Sequence, residues 1–86
     1  MAGVEEIRAG IALANEKSSA SIAALQQAAQ SLEEAQLSLS QATQGSSQHE
    51  VSQAHGLLAE ALQGINGLVS TIQAGISSAE SYSTRL

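Results

Sequence analysis

Thr43-Gln44-Gly45-Ser46-Ser47-Gln48-His49-Glu50 is the stretch that decides the fold of this chain. Gly45 suits the left-handed position just past a helix C-terminus. Ser47, followed three residues later by Glu50, has the form of a capping box that starts a helix. A stop and a start this close leave no room for a third element. The stretch therefore predicts a tight turn over 45–47 between a helix of about residues 3–44 and another of about 48–85.

Outward from the turn, both arms carry a helical apolar period. The first places Val4, Ile7, Ile11, Ala14, Ser18, Ser21, Leu25, Ala28, Leu32, Ala35, Leu39 and Ala42 alternately three and four residues apart. The second does the same with Val51, Ala54, Leu58, Ala61, Ile65, Leu68, Ile72, Gly75, Ala79, Tyr82 and Leu86. Each is an unbroken heptad seam, and folding at Gly45 brings the two together antiparallel. In the predicted layers a large residue meets a small one, as in Leu39–Ala54, Ala35–Leu58, Leu32–Ala61 and Ala28–Ile65. That alternation fills space between close helices without overpacking. The expected core within the hairpin is Ile7, Ile11, Leu25, Leu32, Leu39, Leu58, Ile65, Leu68, Ile72 and Tyr82. Around Ser18–Gly75 and Ala14–Ala79 both sides are small, which predicts a thin waist. The fold class is all-α, a single domain over residues 1–86.

Beside this seam, Ile22, Ala29, Leu62, Val69 and Ile76 form an apolar flank. The opposite flank holds Lys17, Ser31, Ser38, Gly64, Thr71, Ser78 and Arg85, with Ala24 and Leu57 as its apolar members. The second helix thus has an apolar stripe wider than one partner helix covers. Apolar side chains left in water forfeit roughly 25 cal/mol per Å² that association would recover. Ile22, Ala29, Leu62, Val69 and Ile76 are accordingly the expected interface. Two hairpins joined there would make a four-helix bundle. The expected partner is a second copy, as a homodimer, or another helical protein. Glycines at 56, 64, 67 and 75 weaken the second helix in isolation by about 1 kcal/mol each, which also favours a partnered state.

Composition narrows the function classes. The chain has 86 residues, no Cys, no Pro and one aromatic residue, Tyr82. The absence of Pro suits long unbroken helices. With a net charge of −5 and only Arg8, Lys17 and Arg85 as basic residues, neither nucleic acid nor an anionic lipid surface is an expected partner. No apolar run approaches the ~18 residues of a membrane span, so membrane insertion is not expected. The N-terminal residues, with Glu5 and Glu6 and no apolar core segment, do not form a signal peptide. The expected location is cytoplasmic, with any export following a route that needs no cleaved signal.

Chemical constellations are sparse. His49 and His55 are six residues apart, on different faces of a helix, unlike the four-residue spacing of a helical zinc pair. Glu5-Glu6 and Glu33-Glu34 fall on the outer face without a pocket. No serine has a histidine and a carboxylate arranged to activate it. Gly64-Ile65-Asn66-Gly67 sits within the helical period and lacks the following Lys of a phosphate loop. No catalytic residue, metal ligand or cofactor is expected, and the chain reads as a non-enzyme.

In its length, and in two helices joined by a short Gly-containing turn, the chain resembles the WXG100/ESAT-6-like proteins, which are exported by type VII secretion. Its turn reads Gln44-Gly45-Ser46 where those proteins carry Trp-x-Gly, and no acidic residue follows Tyr82. In wording it is similar to the N-terminal helical-hairpin module of actinobacterial polymorphic-toxin proteins, including deaminase-type ones. The matching stretches are Val4-Glu5-Glu6-Ile7-Arg8-Ala9, Ala14-Asn15-Glu16-Lys17, Leu32-Glu33-Glu34-Ala35, Gly45-Ser46 and Tyr82 to Leu86. These resemblances imply a protein-interaction module acting in secretion, targeting or assembly of a partner. The alternative expectation is a purely structural, self-assembling homo-oligomeric coiled-coil subunit.

Overall fold

A computed structural model describes residues 3–86. Two helices account for nearly all of them: α1, Val4–Ala42, and α2, His49–Thr84. They run antiparallel as a rod of 64 × 17 × 15 Å, the shape of a single helical hairpin. Helices of 39 and 36 residues are long enough for that axis at about 1.5 Å per residue. Ala, Leu, Gln and Glu supply the propensity, and no Pro interrupts it. Glu5 and Glu6 lie in the first turn of α1 and Glu50 in that of α2, where carboxylates favour the positive end of the helix dipole.

The turn differs in detail from the sequence expectation. Helix α1 ends at Thr43, whose N–H donates to the Leu39 carbonyl at 3.0 Å while its Oγ1 donates to the same oxygen at 2.6 Å. Gly45 has φ +83°, the left-handed conformation that reverses the chain, and Ser46 N–H closes the bend on the Thr43 carbonyl at 2.9 Å. The expected capping box of Ser47 and Glu50 does not form. The N-cap of α2 is Gln48, which makes no side-chain cap bond, and its own N–H donates to Ser46 Oγ at 3.3 Å. Ser47 therefore lies one residue too early to cap, and the serine hydroxyl that orders the entry is that of Ser46.

The seam is also rotated from its expected position. On α1 the half-buried residues include Ile11, Asn15, Ser18, Ile22, Leu25, Ala29, Leu32, Gln36, Leu39 and Thr43. On α2 they include Val51, Leu58, Leu62, Ile65, Val69, Ile72, Ile76, Ala79, Ser83 and Leu86, with Ala54 and His55 both half-covered near the turn. Only the opposite helix is present to cover these positions, so the two rows face each other. Ile7, Ile11, Leu25, Leu32, Leu39, Leu58, Ile65 and Ile72 lie in the seam. Leu68 and Tyr82 do not: they stand 53% and 46% exposed on the adjoining row. Their places are taken by Val69 and Ser83, the next residue along. The physical reason lies in α2, where the row of Leu62, Val69 and Ile76 is bulkier than the row of Ala61, Leu68 and Gly75. Burying the first removes more apolar surface from water.

The thin waist between Ser18 and Gly75 is likewise absent. Gly75 is exposed, and a Cβ built there meets nothing within 4 Å. In urea melts, Gly75→Ala should gain about 1 kcal/mol from helix propensity, and Gly75→Leu should be no less stable than the parent. Destabilisation by Gly75→Leu would return this position to the seam. Gly45→Ala should lose about 1–2 kcal/mol, since a Cβ is strained at its positive φ.

Candidate functional surface

Two helices in contact along one line cannot enclose a core, and among the described residues none is fully buried. A compact monomer of 8.7 kDa would expose about 4,700 Å². This chain exposes 6143 Å². The excess is that of a two-helix rod without an enclosed core, and the two flanks of its seam are unlike each other.

One flank is uncharged, and small along α1. On α1 it is the row Ala14, Ser21, Ala28, Ala35 and Ala42, and on α2 the row Ala61, Leu68, Gly75 and Tyr82, all exposed. In an antiparallel pair, rows at the same heptad position lie on the same side, so these two adjoin. Leu57, 58% exposed, extends the surface outward. The other flank is polar, with Ser19, Gln26, Glu33 and Ser40 on α1 facing outward beside Ser52, Asn66, Gln73 and Glu80 on α2. Heptad position places seven of the eight carboxylates on this polar flank or on the backs of the helices. The exception, Glu50, borders the uncharged side near the turn, while Lys17 and Arg85 border it near the open end.

This arrangement moves the candidate interface. Ile22, Ala29, Leu62, Val69 and Ile76, the residues expected to form an open apolar patch, are half-buried within the single hairpin. They are already covered in part by the opposite helix. The uncovered surface is the row on the far side of the seam, centred on Ala28, Ala35 and Leu68. Leu68 was legible as apolar and correctly spaced; its exposure follows only once Val69 has taken the inward position.

The open end of the rod holds a shallow cleft of about 430 Å³, lined by Arg8, Ile11, Ala12, Asn15, Glu80, Ser83 and Thr84. Arg8 Nε donates to the Ser83 carbonyl across the cleft at 3.4 Å, in exposed surroundings. No three His, Asp or Glu residues converge as a metal set among the described residues. His55 is half-buried near the turn and His49 is exposed at the start of α2, so the two do not share an environment. Several hydroxyls are engaged with their own helix: Ser21 Oγ donates to the Lys17 carbonyl, Thr71 Oγ1 to that of Gly67 and Thr84 Oγ1 to that of Ser81. No described helix is long and apolar enough to cross a membrane. No family model, curated protein or solved structure matches the chain.

The row assignment has a direct test in neighbouring substitutions on one helix. Val69→Glu sets a carboxylate in the seam, and thermal melts should show a loss of about 1–3 kcal/mol. Leu68→Glu sets it in water beside the seam and should leave the helicity and melting of the isolated hairpin nearly unchanged, within about 0.5 kcal/mol. Equal losses would mean that both rows are inside.

Proposed function

We propose that this chain is a non-enzymatic protein-interaction module that presents its uncharged flank to another helical protein. The single observation behind this reading is the pairing of a hairpin with no fully buried residue among those described with a contiguous flank from which charge is absent. A second hairpin laid on that flank would complete a four-helix bundle and supply the core that two helices lack. Exposed apolar surface of this kind on a small protein is typical of an interaction site. The likeness of Val4 to Ala9, Leu32 to Ala35 and Tyr82 to Leu86 to toxin-associated hairpin modules suggests the setting: secretion, targeting or assembly of a partner. The WXG100-like shape suggests an export route without a cleaved signal. Self-assembly into a homo-oligomer is the reading in which the partner is the chain itself.

The test is co-expression with the products of neighbouring genes, followed by purification of the hairpin. A partner should co-purify with the parent chain, be lost from Leu68→Glu and be retained by Glu34→Gln on the outer face. Partner binding that survives Leu68→Glu would remove the flank from the proposal. A parent chain that binds neither a neighbour's product nor itself would end the interaction reading.

A further inference from the structure

The uncharged flank carries an argument about its occupant. Its α1 row is symmetric about Ala28: two copies laid antiparallel would set Ala28 on the partner's Ala28, Ser21 on the partner's Ala35 and Ala14 on the partner's Ala42. We infer that the flank is covered by a second copy of this chain, antiparallel, with the Ala28 rows of the two α1 helices in contact at the two-fold axis. This rests on the interaction reading above and names its partner.

Charge supports the choice. Neither row of the flank holds an Asp, Glu, Lys or Arg, so a copy can approach without bringing its carboxylates into the contact, although each chain has a net charge of −5. At the border of the flank, Lys17 and Arg85 mark the open end and Glu50 the turn end. Antiparallel packing sets each turn end beside the partner's basic end, whereas parallel packing would gather both Lys17 and both Arg85 at one end. Such complementarity at a rim governs orientation and encounter more than affinity. Size is consistent as well. With Ala28 at the axis the copies overlap from about residue 10 to the turn, roughly 54 Å at 1.5 Å per residue, and a flank 15 Å deep then has a footprint of about 800 Å², as in one side of a standard interface. Leu68 supplies a large apolar side chain near the axis, close to the partner's small Ala61, so that the α2 rows add depth to a contact that alanines alone would make thin. The contact is self-complementary, as a two-fold interface must be.

The chain has no Cys, so single cysteines report contacts cleanly. Light scattering at micromolar concentration should give twice the 8.7 kDa chain mass, and Leu68→Glu should give the monomer. Under mild oxidation Ala28→Cys should cross-link to itself roughly a hundredfold faster than Glu34→Cys on the outer face, because the dimer supplies the high effective concentration. Ala14→Cys and Ala42→Cys, refolded together, should form the mixed disulfide in preference to either homodisulfide. A dimer that yields the two homodisulfides instead is parallel and overturns the proposal. A monomeric parent chain overturns it too. If that monomer still loses a neighbour's product on Leu68→Glu, the flank remains an interaction surface with a different occupant. If it binds nothing, both readings fall.

Discussion

Each helix of this hairpin meets one neighbour along one line, and that geometry limits how much apolar surface the chain can hide. The consequence is visible in the accessible area, 6143 Å² for 8.7 kDa, and in the lack of any fully buried residue among those described. The sequence is adapted to this limit. Large apolar residues are concentrated on the inner rows, above all on α2, while the row just outside on α1, Ala14 to Ala42, is kept small. An alanine or serine beside the seam exposes little apolar surface when uncovered and permits close approach when covered.

The inner rows are not uniformly apolar. Asn15, Ser18 and Gln36 are half-buried on α1, and His55 and Ser83 on α2. Such groups remain hydrated at the edges of a two-helix seam, so they cost less there than in a closed core. They also interrupt an otherwise regular apolar ladder. A heptad ladder of identical layers tolerates slippage by one repeat, and polar residues at particular positions single out one register. The hairpin's short turn acts toward the same end, because Gly45 and the Thr43 cap leave little slack between Ala42 and His49.

The fold was legible in the sequence because the apolar period and the turn agree with each other. The rotation of the seam was not, and the reason lies in the shared row. Ile11, Ser18, Leu25, Leu32 and Leu39, with Leu58, Ile65 and Ile72, are inward in either heptad phase. The phases differ only in whether Ala28 and Leu68 or Ala29 and Val69 complete the pair. Large-against-small matching favoured the first phase. The summed bulk of Ile22, Leu62, Val69 and Ile76 favours the second, and in the structure it prevails. The uncovered flank was misplaced for the same reason, since a change of phase exchanges an inner row with an outer one. The capping box failed on a smaller scale, by one residue in the start of α2.

The open end has a mechanical consequence. Arg8 and Ser83 meet across it, so the two ends of the described chain leave the rod together. A pull exerted between them does not slide one helix along the other; it peels the helices apart from that end toward the turn. Resistance then comes from one heptad at a time, beginning where polar Asn15, Ser18 and Ser83 share the seam with Ile7, Ile11 and Leu86. Such a rod withstands sideways load along its whole length and yet unzips readily when drawn by its ends, as a chain threaded through a narrow opening would be.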